Sequence, residues 1–315
     1  MEFRRNIEDK LKAWSQSPFR KPLVLRGARQ VGKTTAVKQF AVNYEQFIYL
    51  NLETDDAKSF EGERDIHKIV DRIFFLKDGE KGKADTLIFI DEIQEVPSAL
   101  NMLRYFYEEY PEYHVIAAGS LLESLFDRDV SFPVGRVDYL YMYPFTFGEF
   151  LEALGEKNAL NAYRQVPVPD YAVDKLMQLF HTYTLVGGMP EAVYRYVVTK
   201  DLSQVKPVYD SLLLSYLDDV EKYAKTTNQM QVMRHCIRSC FAEAGERIKF
   251  AGFGESAYSS KEVGEAMRTL RKALILHLTY PTTQTMLPFT PDIKRSPRLQ
   301  VLDTGMLNYF SNIQK

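Results

Sequence analysis

Eight consecutive residues, Gly27-Ala28-Arg29-Gln30-Val31-Gly32-Lys33-Thr34, satisfy the spacing G-x-x-x-x-G-K-[ST], and the apolar run Leu23 to Leu25 leads into them. This spacing suits capture of a polyphosphate. Glycines at both ends let the backbone turn tightly, so that successive amides and the N-terminus of a following helix can face anionic oxygens. Lys33 would neutralise β- and γ-phosphate charge, and Thr34 would hold Mg²⁺. Gly27, Ala28, Arg29, Gln30, Val31, Gly32, Lys33, Thr34 and Thr35 are therefore the expected nucleotide-binding residues, with ATP and Mg²⁺ as the expected ligands.

A second chemical element lies about sixty residues on, where the run Leu87-Ile88-Phe89-Ile90 ends in Asp91-Glu92. Asp91 would join Thr34 in the Mg²⁺ shell, through water. Glu92 would orient and polarise an attacking water, the role that separates a hydrolase from a nucleotide holder. The competing reading makes the two acids a helix N-cap pair. Ser120, after the run Val115 to Ala118, places a hydroxyl at a further strand edge. There it either senses the γ-phosphate and positions water or caps a helix holding Leu121 and Leu122. Arg136 precedes another apolar run and is a candidate arginine finger for a neighbour's site, while Arg26 and Arg29 flank or lie within the loop.

These residues need strands to carry them. Short apolar runs at 23–25, 47–52, 87–90, 115–118 and 139–143 have the character of doubly covered parallel strands. Between them, Ala36, Val37, Phe40, Ala41 and Tyr44 form one helical stripe. Leu100, Leu103, Phe106, Tyr107 and Tyr110 form another, stopped by Pro111. The series predicts an α/β fold with a parallel sheet, although sequence order alone does not fix sheet order.

From Pro144 the pattern turns helical. Thr146 and Glu149 make a capping box, and Val186-Gly187-Gly188-Met189-Pro190 breaks one helix before the next. A third region, from about Val205, predicts helices at 209–223 and 229–244, then a helix capped by Ser259-x-x-Glu262. Two late strands at 273–280 and 298–302 follow, joined by a Pro-rich loop. That order suggests a winged helix. Lys261, Arg268, Arg271 and Lys272 on its helix share a surface with Glu262 and Glu265, whereas Lys294, Arg295 and Arg298 on the wing face little opposing charge beyond Asp292. These groups permit duplex contact without demanding it.

Composition narrows the remaining classes. With 45% apolar and 26% charged residues in 315, the chain has globular composition, and a formal net charge of -2 gives no global attraction to nucleic acid or acidic lipid. Cys236 and Cys240, the two cysteines, are not completed into a metal set by a His or a further Cys. No apolar run approaches the roughly 18 residues that span a bilayer. A cytoplasmic protein without membrane contact is the expectation.

Taken together, the strings Gly27 to Thr35, Ile88-Phe89-Ile90-Asp91-Glu92-Ile93-Gln94, Ala118-Gly119-Ser120, Gly135-Arg136-Val137, Tyr143 to Phe150, Gly187 to Ala192 and Leu302-Asp303-Thr304-Gly305-Met306 resemble a family of AAA+ ATPases. Its members pair an AAA domain with a C-terminal domain of unknown function numbered 4143. The resemblance covers nearly the whole chain. It implies ATP and Mg²⁺ binding and carries over Lys33, Thr34, Asp91 and Glu92, and less firmly Ser120 and Arg136. Family members usually have Pro where Ala28 stands, and they typically continue past the Asp-Thr-Gly segment into a nuclease-like portion that this sequence lacks.

The expected architecture is a P-loop AAA core of the ASCE type over 1–145, a helical lid over 146–204 and a winged-helix-like region, truncated relative to the family, over 205–315. The expected function is ATP hydrolysis driving a conformational switch of lid and winged helix. The alternative is a nucleotide-gated binding protein that recruits DNA or a protein partner with little turnover. Homo-oligomer formation is compatible with either.

Overall fold

A computed structural model describes residues 3–60, 62–119, 135–224 and 226–310. The chain divides into two compact units, one of residues 5–143 and one of 144–315 joined by residues 1–4.

The first unit opens with α1 (Asn6–Ser15), which buries Ile7, Leu11 and Trp14. Then come β1 (Leu23–Arg26), α2 (Lys33–Ala41), β2 (Gln46–Asn51), α3 (Ile66–Leu76), β3 (Thr86–Asp91), α4 (Pro97–Glu109), β4 (His114–Gly119) and β5 (Asp138–Tyr141). All pairings in this sheet are parallel, in the order β2-β3-β4-β1-β5. Strand β4 thus separates β1, which feeds the glycine loop, from β3, which ends in Asp91.

Burial follows that order. Every residue of β1 and β3 is buried, as expected of interior strands covered on both faces, whereas β2 and β5 alternate because they form the edges. The run at 139–143 therefore departs from the doubly covered strand expected of it. Tyr139 and Tyr141 on β5, with Tyr143 just beyond, are 39–53% exposed, and their rings line one side of the edge. Helix α3 belongs to no stripe anticipated above, yet Ile66, Ile69, Val70, Ile73 and Phe74 recur at helical spacing and all are buried. With Leu100, Leu103 and Phe106 of α4 and Ile48, Leu50, Ile88 and Ile90 of the strands, they form the main core of this unit.

In the second unit, α5 (Phe147–Ala153) starts at the Thr146–Glu149 capping box, the Thr146 hydroxyl accepting from Glu149 N at 3.3 Å and Glu149 Oε2 accepting from Thr146 N at 2.7 Å. Helices α6 (Lys157–Tyr163), α7 (Asp170–Val186) and α8 (Pro190–Thr199) follow, with Leu151, Leu160, Ala172 and Leu176 in a small core. Next come α9 (Lys206–Tyr223), α10 (Thr227–Ser239) and α11 (Ser260–Lys272), the last begun by the Ser259–Glu262 capping box. Helix α10 stops at Ser239, five residues short of the expected end. Antiparallel strands β6 (Leu276–Thr279) and β7 (Arg298–Val301) pair Leu276 with Val301 and Thr279 with Arg298, and α12 (Thr304–Phe310) ends the described part. Strand β6 starts later than expected because Leu274, at φ 60°, turns the chain between α11 and the strand.

Two strings remote in sequence meet in this unit. Asp303 accepts from Gly188 N at 2.6 Å and Met306 N at 3.0 Å, and the one hydroxyl proton of Tyr209 is shared between Asp303 Oδ1 and Val186 O, each 2.7 Å from its oxygen. The buried carboxylate therefore joins the turn between α7 and α8 to α9 and to the start of α12. Every hydrogen bond it accepts offsets part of its desolvation.

Candidate nucleotide-binding site

The glycine loop leaves the C-terminal end of β1 and runs into the N-terminus of α2. Gly32 stands at that helix start with φ 93°, a left-handed conformation that a side chain would strain. Gly27 is required for a different reason, since a Cβ there would lie 2.5 Å from Met142 O. Gln30 also takes positive φ, at 63°. Ala28 and Val31 are buried, so the stretch between the glycines is anchored from beneath.

Lys33 Nζ donates to Gly27 O and Ala28 O, both at 2.9 Å, which holds the ammonium over the loop. Burial pushes this amine down to about 8, against the pull of Glu92 and Asp91, while Arg29 adds to the depression. Thr34 Oγ1 donates to Asp91 Oδ2 at 2.7 Å. That bond brings together two strings 57 residues apart. Asp91 is 3% exposed; burial raises its carboxyl above the usual range, and the Thr34 hydroxyl opposes the shift. Glu92 follows at φ 51° with its amide on Asp91 Oδ1 at 3.1 Å, and its carboxylate accepts from Gln94 Nε2 at 2.6 Å.

The donor set fits a magnesium ion. Among the described residues no group of three or more His, Cys, Asp or Glu forms a metal cage, and Mg²⁺ is commonly held by one or two protein oxygens plus phosphate oxygens and waters. Thr34 Oγ1 and Asp91 Oδ2 are hard oxygen donors already in contact. They would hold the ion.

Two expected residues stand elsewhere. Ser120 lies outside the described residues. Arg136 precedes β5, whose first residue pairs with the first residue of β1, so it sits at the strand ends opposite the glycine loop. There its Nε donates to Glu108 Oε1 at 2.9 Å, and Glu108 is shared with Arg104. Arg136 is thus not gathered with Lys33, Thr34, Asp91 and Glu92 in its own chain.

Other side chains at the site were not anticipated. Buried Arg5 donates through one nitrogen to Val31 O at 3.2 Å and through another to Tyr143 O at 2.8 Å, tying the loop to the chain beyond β5. Tyr49 Oη donates to Asp91 Oδ2 at 3.3 Å, and Lys38 Nζ lies 4.1 Å from the centre of the Tyr49 ring. Alternation along β2 is the one trace of Tyr49 in the sequence; Arg5, ahead of a charged helix, has none.

Comparison with known proteins adds to this geometry. The model of the AAA domain family matches residues 19–151. A Walker-type ATPase of Pyrococcus abyssi superposes with a TM-score of 0.62 at 15% identity, covering 98% of this chain and 96% of that one. The fold is that of a P-loop NTPase. Two more solved structures score 0.35, too low to bear on this chain. They are the Orc1 protein of Aeropyrum pernix in complex with DNA (12% identity, 99% of this chain and 93% of that one) and the RuvB Holliday junction branch migration motor of Thermotoga maritima (15%, 88% and 90%). No curated protein matches the sequence. Residues 177–315 match a domain of unknown function, DUF8612, where the resemblance had implied domain 4143. The P-loop NTPase fold carries the site, and the second half matches a different family model from the one the resemblance implied. Among the described residues no helix is long and apolar enough to cross a membrane.

Proposed function

We propose that the chain binds ATP with Mg²⁺ on Gly27 to Thr35 and hydrolyses it, and that turnover switches the conformation of the lid and the winged-helix-like region. The Thr34–Asp91 hydrogen bond carries this reading, because it sets the phosphate loop and the acidic strand end at one locus with Glu92 beside it. Lys33 neutralises phosphate charge, Thr34 and Asp91 hold the metal, and Glu92 takes a proton from the attacking water. When bound, Mg²⁺ would supply neutralisation of the phosphate charge. Ser120 serves as γ-phosphate sensor or water-positioning group, and Arg136 as a finger for a neighbouring copy.

Phosphate release from purified protein tests the proposal. Glu92→Gln should abolish turnover and keep ATP binding, and Lys33→Ala should weaken binding. Unchanged ATP affinity in Lys33→Ala would remove the site. A gate that recruits a partner with little turnover is the second reading, and the wing favours keeping it. Met286, Leu287, Phe289 and Ile293 are 58–81% exposed there, beside exposed Lys294 and Arg298. Duplex DNA titrated against salt separates the outcomes, since phosphate contacts predict a steep loss of affinity as salt rises.

A further inference from the structure

Gln94 sits two residues past Glu92 in a short 3-10 turn, Ile93–Glu95, and is 8% exposed. The turn is wedged in place by Ile93 and Val96, both in the main core of the first unit. Its amide is used asymmetrically. Nε2 donates to Glu92 Oε2 at 2.6 Å, while Oε1 is buried and meets no donor among the described residues. A buried amide kept for packing would satisfy both ends, because native proteins leave few buried polar atoms without a partner. Here the satisfied end is the one on Glu92.

The main chain of Glu92 is restrained as well. Its φ of 51° and ψ of 43° are a left-handed conformation unusual for a glutamate, and its amide closes back on Asp91 Oδ1 at 3.1 Å. Left-handed strain in a non-glycine residue persists where the surroundings hold it, and here both backbone and carboxylate are held. We propose that Gln94 is the positioning residue of Glu92. It fixes one carboxylate oxygen through Nε2–H and so presents the other to the attacking water. This inference rests on the hydrolase reading above. In the step it serves, the water oxygen bonds to the γ-phosphorus, the bond from that phosphorus to the β–γ bridging oxygen breaks, and one water proton passes to Glu92, leaving ADP and phosphate.

The experiment uses the full chain and its Gln94→Leu, Gln94→Glu and Glu92→Gln variants, with thermal melting to show that each is folded. Gln94→Leu should lower kcat roughly 10- to 100-fold while KM and the affinity for Mg-ATP stay within about twofold, since the contact acts on the base and not on the nucleotide. Added to Glu92→Gln it should cost nothing more, because residues acting through one group are not additive. Gln94→Glu has nearly the same shape and places a second carboxylate against the first. An ionised carboxylate cannot donate to Glu92, so Gln94→Glu should lose kcat much as Gln94→Leu does. A merely structural glutamine would lower the melting temperature when replaced without this separation of kcat from KM. No turnover in the unaltered protein would defeat the hydrolase reading and this inference with it. Turnover in the unaltered protein with kcat within about twofold in both Gln94 variants would overturn the inference and leave the hydrolase reading standing.

Discussion

A buried ammonium is destabilised unless something nearby restores its charge, and Lys33 sits close to balance, with burial lowering its amine to about 8. The sign for the fold follows from proton counting. Between about 8 and the ordinary value of 10.5 the unfolded chain binds more protons at this residue, so its contribution to stability rises with pH over that window. The sign for ligand is opposite. A polyphosphate prefers the protonated amine, so ATP affinity should fall as pH rises through 8, and at pH 9 only about one Lys33 in ten should be charged before binding. Calorimetry at pH 9 in buffers of different ionisation heat should show a proton taken up with ATP, and at pH 6.5 none. A flat affinity from pH 7 to 9 would show that the Lys33 amine is not depressed by its burial. Residues of this kind were legible in the sequence because their types and spacing are the chemistry: Gly27, Gly32, Lys33, Thr34, Asp91 and Glu92 need no contact map to be named. Gln94 stood in plain view beside Glu92 but had no spacing rule to mark it, since its role depends on how a 3-10 turn folds back.

At the scale of elements, the glycine loop is positioned by more than the strand and helix it joins. Arg5 reaches both Val31 O and Tyr143 O from the start of α1, so this helix supports the loop through one buried guanidinium. Arg5→Met keeps the apolar stem and removes the donors. It should destabilise the first unit by about 1–3 kcal/mol and weaken ATP binding several-fold, seen as a lower urea midpoint and a raised Kd. Unchanged ATP affinity in a folded Arg5→Met protein would confine Arg5 to stability. The same logic applies to Asp303, whose carboxylate is surrounded by donors from Gly188, Tyr209 and Met306. Asp303→Ala leaves those donors unmet and should cost the second unit about 2–4 kcal/mol while ATP affinity is unaltered. An unchanged urea transition would refute the joint. Burial raises the Asp303 carboxyl above its ordinary value, so its ionisation costs stability as pH rises through the shifted value, and acid relieves that cost. Both strings around this carboxylate were visible as breakers and an Asp-Thr-Gly segment, but their meeting was not, because 115 residues separate Gly188 from Asp303. The strands and most helices were legible from apolar periodicity. Sheet order was not, since placing β4 between β1 and β3 depends on crossovers that leave no mark on any one segment.

The whole molecule poses the question of whether one chain suffices for turnover. Within a chain, Arg136 stands at the strand ends away from the glycine loop and is bound to Glu108, so it cannot serve its own site without unmaking the sheet edge. If it acts, it acts in a neighbour. A head-to-tail contact of that kind makes each active site a joint product of two copies. Hydrolysis per mole of chain should then rise with protein concentration, and Arg136→Ala should lose the rise while binding ATP normally. Glu108→Gln, which releases the guanidinium from its partner, should shift the rise to lower concentration. The decisive form of the test mixes two inactive proteins. Arg136→Ala still has an intact loop, and Lys33→Ala still has an intact arginine, so an interface formed with the first as nucleotide holder and the second as donor is complete. Mixing should restore part of the activity that neither variant shows alone, and size measurement with a non-hydrolysable ATP analogue should show the mixed assembly. Specific activity independent of concentration, together with full turnover in Arg136→Ala, would establish that a single chain carries the reaction and that Arg136 only braces α4 through Glu108.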